Sequence, residues 1–206
     1  RTFITDDVHR DDMVAHVYDT TYEVVNKGKD TLVILDDSIV RGTTLEKSIL
    51  KMLDRLHLKK IVVVSSAPQI RFPDCYGIDM SKMGDFVAFR ALIQLIKEQG
   101  KDYLLGEIYE QCQRSEQEEV PVNYVKRLYE QFAYNEISDK IADIVRPADM
   151  KAELEVVYQT VENLHKAIPN HSGDWYFTGD YPTPGGMRAA NRSYLNYMDG
   201  KLVRAY

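Results

Sequence analysis

The chain has 206 residues, with 26 Lys or Arg against 32 Asp or Glu, a net charge of −6. That balance disfavours a general nucleic-acid binder or a binder of anionic membrane surfaces, because both usually present a basic face. With 44% hydrophobic and 28% charged residues, and no apolar run long enough to cross a bilayer, the composition is that of an ordinary globular protein, neither disordered nor membrane-spanning.

Thr2-Phe3-Ile4 is short and apolar and reads as the end of a strand. Between Asp11 and Asn26 the apolar positions Met13, Val14, Val17, Tyr18, Val24 and Val25 recur at helical spacing, and Gly28 reads as the stop. Thr31-Leu32-Val33-Ile34-Leu35 is a continuous branched run between Asp30 and Asp36, the pattern of a strand buried on both faces. A loop follows to Thr44. Leu45, Ile49, Met52, Leu53 and Leu56 then mark a helix, with Thr43 and Glu46 as its predicted capping box. Ile61 to Val64 is a second buried strand. Strand, loop, helix and strand make a βαβ unit, which belongs to a mostly parallel sheet.

From Asp85 the pattern turns helical. Phe86, Phe89, Ile93 and Ile96 share one face, with Gly100 beyond them, and Tyr103 to Cys112 forms another helix. Ser115 to Glu119 is polar and acidic and reads as a solvated loop. Pro121 opens a predicted helix through Tyr124, Leu128, Tyr129 and Phe132. Ile137, Ile141, Ile144 and Val145 predict one more, ended by Pro147. Leu154 to Tyr158 reads as a strand. Thr160 then caps a helix carrying Val161, Leu164 and Ile168. The tail from His171 is dense in Gly, Pro, Asn and Tyr and reads as loop or extension.

Cys75 and Cys112 are the two cysteines, with no CxxC, and the five histidines are scattered. Zinc-ligand spacing is absent, and free thiols fit a reducing, cytoplasmic setting.

The chemistry concentrates at residues 36–44. Asp36 and Asp37 stand at the carboxyl end of a predicted buried strand, the edge where open α/β sheets bind ligands. Ser38-Ile39-Val40-Arg41-Gly42-Thr43-Thr44 then leads into a helix N-terminus, whose free N–H groups attract anions. Gly42 permits close backbone approach, and Ser38, Thr43 and Thr44 supply hydroxyl donors. Carboxylates beside a phosphate cradle suit a sugar phosphate, with the acids taking ribose hydroxyls or Mg²⁺. The Walker A spacing and its Lys are absent.

The run Asp36 to Thr44 resembles the phosphoribosyl-diphosphate motif of type I phosphoribosyltransferases, in the form found in the amidophosphoribosyltransferase (glutamine phosphoribosylpyrophosphate amidotransferase) family. Ser65-Ser66-Ala67-Pro68-Gln69-Ile70-Arg71-Phe72-Pro73 with Tyr76-Gly77-Ile78-Asp79-Met80 resembles a second family segment. Arg1-Thr2-Phe3-Ile4 is similar to the stretch after the family's mobile catalytic loop, and Phe177-Thr178-Gly179-Asp180-Tyr181-Pro182-Thr183 to its C-terminal tail.

The resemblance implies an α/β fold, a mostly parallel sheet flanked by helices. Residues 1–83 and 136–178 would form the phosphoribosyltransferase core, 84–135 a helical insertion and 179–206 a C-terminal tail. It implies that Asp36 and Asp37 contact the ribose hydroxyls and Mg²⁺, and that Ser38, Ile39, Val40, Arg41, Gly42, Thr43 and Thr44 wrap the 5′-phosphate. The implied reaction is attack of ammonia at C1 of phosphoribosyl diphosphate, the first step of purine synthesis. The implied partners are a glutaminase domain upstream and further copies in a homo-oligomer, with no nucleic acid and no membrane. The family's catalytic loop and nucleophilic Cys have no counterpart from Arg1 onward, so a fragment of a longer enzyme, inactive alone, is expected. Asp74 and Tyr176 stand where some relatives carry iron–sulfur ligands, so no cluster is expected. The helix before the motif strand lacks the family's basic residues around His16 and Tyr18, which makes nucleotide feedback there doubtful. Two competing readings keep the fold: a phosphoribosyltransferase with a free-base acceptor, and a non-catalytic sensor of the sugar diphosphate or of nucleotides.

Overall fold

The computed structural model describes residues 24–75, 80–170 and 173–205. The predicted strand end at Thr2 to Ile4, the predicted first helix up to Glu23 and the stretch 76–79 lie outside the described residues.

Strands β1 (Thr31–Asp36), β2 (Lys60–Ser65) and β3 (Glu153–Tyr158) form a parallel sheet in the order β1-β2-β3. Each lies within one residue of its predicted bounds. Asp36 pairs with Ser65 and Ser65 with Tyr158, so all three strands end at one edge. The expected α/β architecture, a parallel sheet with flanking helices, is present.

The prediction that β1 and β2 are buried on both faces is corrected. Ile61, Val63, Val156 and Tyr158 are buried on one face, while Val33 is 57% and Leu35 79% exposed on the other. The strand order explains this. The chain moves across the sheet in a single direction, and right-handed crossovers then carry both connections to the same side.

A π-helical segment Leu45–Ile49 runs into α1 (Leu50–Asp54), and the predicted apolar positions Leu45, Leu53 and Leu56 are buried, with Ile49 and Met52 half-buried. The predicted capping box does not form. Thr44 occupies the cap position with helical backbone angles and makes no side-chain capping bond. The first turn is closed by the backbone instead, with Glu46 N donating to Gly42 O at 3.0 Å.

A 3₁₀ turn at Met83–Asp85 leads to α2 (Val87–Glu98), followed by α3 (Tyr103–Ser115), α4 (Lys126–Tyr129) and α5 (Tyr134–Val145). Helix α2 packs on α5, and α5 on β3. The helix predicted from Pro121 to Phe132 shrinks to α4 because its backbone is used elsewhere. Tyr124 N donates to Asn191 Oδ1 at 3.1 Å, and the buried Asn123 donates its amide to Gly179 O. Ser115 also departs from the predicted solvated loop, being buried and bonded to Cys112 O.

Helix α6 (Val161–Ala167) starts as predicted, with Thr160 Oγ1 accepting from Asn163 N. The predicted loop-like tail is corrected. It holds a short α7 (Trp175–Thr178) and a 15-residue α8 (Pro184–Met198). Thr183 accepts from Gly186 N at the start of α8, with Pro184 in the first turn. Gly186 is required by packing, since a Cβ there would lie 2.5 Å from the Tyr181 ring. Helix α8 packs against α3, and the fully buried Tyr194 donates to Leu105 O at 2.9 Å.

Asn191 joins α8 to the 115–124 region. Its amide donates to Ser115 Oγ and Val122 O, each at 2.8 Å, while its oxygen accepts Tyr124 N. Asn191→Ala leaves those buried groups unpaired and is expected to cost roughly 2–3 kcal/mol. A thermal melt should fall by about 5–10 °C, and an unchanged melt would remove this network from the stability of the fold.

Candidate functional site

β1 delivers Asp36 to the carboxyl edge of the sheet, with Asp37 just beyond it. The end of β2 holds them there. Ser66 N donates to Asp36 O at 2.9 Å, Ala67 N to Asp37 O at 3.0 Å, and Ser66 Oγ to both carbonyls. Each carboxylate also binds its neighbour's backbone: Asp36 Oδ1 accepts Asp37 N, and Asp37 Oδ1 accepts Ser38 N. Burial first, and then the adjacent Asp37 carboxyl group, raise the pKa of Asp36.

The rest of the loop is anchored along its length. Ile39 is buried in the core. Val87 N donates to Val40 O at 2.8 Å, and Arg90 Nη2 to Arg41 O at 2.6 Å. Arg41 Nη2 reaches Asp85 at 3.5 Å. Gly42 has φ +74°, and a Cβ there would lie 2.7 Å from Val145 Cγ1. So Gly42 is demanded by backbone conformation and by packing, in addition to any ligand. The hydroxyls of Ser38, Thr43 and Thr44 make no hydrogen bond among the described residues. They sit at or before the first helical turn, where backbone N–H groups lack partners.

The nine sequence-predicted residues, Asp36 to Thr44, thus run from the carboxyl edge of the sheet into the first helical turn as one candidate site, with Ile39 turned into the core. The contributions of Asp85, Val87 and Arg90 were not legible. They come from more than forty residues away, and nothing local to the loop points to them.

Two of the segments carrying the resemblance also meet in space. Tyr176 O accepts from Arg71 N at 2.8 Å and Phe72 N at 3.1 Å, and Tyr181 donates its hydroxyl to Pro73 O. Asp74 and Tyr176 lie close together: burial, and after it the Asp74 carboxylate, raise the Tyr176 pKa. Arg1 to Ile4, His16, Tyr18 and the stretch 76–79 lie outside the described residues.

Among the described residues no group of three or more His, Cys, Asp or Glu is placed to hold a metal ion. The Asp36–Asp37 pair offers two adjacent carboxyl groups rather than a cluster of three or more. Two adjacent carboxyl groups, Asp36 half-buried and Asp37 exposed, are compatible with Mg²⁺, which takes one or two carboxylates and completes its shell with water and phosphate oxygens. Burial pushes the Cys112 thiol up to about 12, which does not suit a nucleophile. No described helix is long and apolar enough to cross a membrane.

No family model matches the chain. Curated proteins do match it in part. The amidophosphoribosyltransferase of Pasteurella multocida is 40% identical over 100 residues, 48% of this chain. That of Escherichia coli is 47% identical over 57 residues, 28% of the chain, and that of Saccharomyces cerevisiae 43% over 63 residues, 31% of the chain. The chain resembles amidophosphoribosyltransferase. The matched segments span 20%, 11% and 12% of the length of these three amidophosphoribosyltransferases. The same likeness holds for bacterial, archaeal and yeast amidophosphoribosyltransferases.

Proposed function

We propose that this chain is the phosphoribosyl-transfer region of an amidophosphoribosyltransferase-type enzyme. The reaction displaces pyrophosphate from C1 of phosphoribosyl diphosphate by ammonia and gives 5-phosphoribosylamine. The observation that carries the reading is the juxtaposition at the β1 edge: two carboxylates, then a pinned loop whose three hydroxyls have no partner among the described residues.

In this reading the Ser38, Thr43 and Thr44 hydroxyls and the N–H groups of residues 39–44 hold the 5′-phosphate. Asp36 and Asp37 accept from the ribose hydroxyls and orient the sugar. As the C1–O bond breaks, positive charge develops on the sugar, and the two acids stabilise it. The ammonia lone pair forms the new C1–N bond, the electron pair of the broken bond leaves with pyrophosphate, and the proton shed by the new ammonium passes to pyrophosphate or water. Mg²⁺ held by Asp36 and Asp37 would neutralise charge on the leaving pyrophosphate. An upstream glutaminase domain would supply the ammonia in a homo-oligomeric enzyme. An iron–sulfur cluster has no part in the proposal, because Asp74 and Tyr176 stand where the resemblance would put Cys ligands.

Calorimetry with phosphoribosyl diphosphate tests the reading. Saturable heat is expected with Mg²⁺ present and is lost with a chelator. Absence of binding under both conditions would sink the assignment.

A further inference from the structure

A cleft at the carboxyl ends of β2 and β3 holds a cation that no carboxylate among the described residues offsets. Arg71 follows β2, and its guanidinium lies over the rings of Tyr129 and Tyr134, 4.8 and 5.0 Å from their centroids. Its Nε and Nη2 both donate to Gln69 Oε1, at 3.0 and 2.8 Å. Gln69 is itself fixed, with Nε2 donating to Tyr134 O and Ser138 Oγ. The guanidinium is thus positioned from behind, and its Nη1 has no acceptor among the described residues. Burial pulls the Arg71 pKa down, and no Asp or Glu among the described residues pairs with it. A partly buried charge without a counterion is costly, so its retention calls for an anion.

The cleft is open to solvent and has a volume of about 470 Å³. Its walls are largely aromatic, from Phe72, Tyr129, Phe132, Tyr134 and Phe177, with the Thr160 and Thr178 hydroxyls among them. Of the other charges on its lining, Lys126 is paired with Asp180 and Glu130 is exposed at the rim. The interior charge is therefore that of Arg71.

We propose that this cleft is a second binding site, for a small molecule carrying a carboxylate or a phosphate monoester on a flat ring. The guanidinium presents a planar fork that matches either anion. The aromatic walls take the ring in stacked or edge-on contact. Five of the lining residues, Lys126, Tyr129, Glu130, Phe132 and Tyr134, come from the 84–135 segment, which thereby gains a role in ligand recognition. The cleft shares no lining residue with the 36–44 loop, so this proposal does not depend on the phosphoribosyl reading.

Benzoate and phenyl phosphate are the probes, titrated into the full chain and followed by ligand-observed saturation-transfer NMR and by the Arg71 Nε–H resonance. A saturable response to at least one is expected, with none for benzyl alcohol. A response to benzoate alone assigns a carboxylate ligand, and one to phenyl phosphate alone a phosphate ligand. Arg71→Gln should weaken binding by about tenfold or more, the loss of a charge-assisted pair. Val161→Trp puts a bulky ring on the cleft lining while leaving Arg71 and Thr160 unsubstituted, and should weaken binding by a similar factor while circular dichroism stays unchanged. No saturable response to either anion overturns the proposal. So does undiminished binding in either variant.

Discussion

Replacing Asp36 and Asp37 together by Asn is expected to weaken Mg²⁺-dependent binding of phosphoribosyl diphosphate by about 100-fold or more, and to leave the thermal transition in place or slightly raised. The binding loss follows from the number of charge-assisted contacts removed. Each is worth about 1.5–3 kcal/mol, and about 2.7 kcal/mol already amounts to 100-fold. The gain or neutrality in stability follows from Asp36. Its pKa is raised above the ordinary 3.8 by burial and by the neighbouring Asp37. A carboxyl group raised in the folded state adds stability below its unfolded pKa and loses it as pH rises through the folded value. Near neutral pH the ionised pair therefore disfavours the empty fold, and Asn removes that cost. The same shift sets the pH dependence of binding. Protons compete for Asp36 at a higher pH than for an ordinary carboxylate, so affinity should begin to fall above the usual carboxylate range as the solution is acidified. Calorimetry across pH, beside melting curves of both proteins, checks all three statements. A double variant that binds normally would place the ligand elsewhere.

Gly42→Ala is expected to destabilise the fold by roughly 2–3 kcal/mol. A non-glycine residue in the left-handed region costs about 1–2 kcal/mol. The added methyl would also lie 2.7 Å from Val145 Cγ1 on α5, and crowding of this kind costs about 1–3 kcal/mol. The two contributions partly overlap, because a shift in φ also moves the methyl. For a chain of this size the melting temperature should drop by about 5–10 °C. The variant also displaces the backbone between Arg41 and Thr43, so ligand binding should weaken together with stability. A melt within a degree or two of the parent would show that the loop has more freedom than its contacts to α2 and α5 indicate.

Much of this molecule is legible locally. The three strands appear within one residue of their sequence-predicted bounds, because each is a short branched run ended by Asp, Lys or a turn. Helices α2, α3 and α5 follow their apolar spacing. The stretch 121–132 does not, because Asn123 and Tyr124 spend their hydrogen bonds on Gly179 and Asn191. Helix α8 escapes recognition for the opposite reason. Its paired glycines and asparagines are poor helix formers, and packing on α3 supplies what propensity lacks.

The identity and order of the groups at residues 36–44 are written in the chain, since strand end, loop and helix start are contiguous. So is the acidic pair, whose chemistry needs only adjacency. Which face of the sheet is covered, what pins Val40, Arg41 and Gly42, and why Arg71 sits between two tyrosines were decided by tertiary structure alone. Those features join Val87 to Val40, Arg90 to Arg41 and Tyr134 to Gln69. Local propensity carries no information about such pairings, because the free energy that selects them comes from contacts made only when the whole core closes.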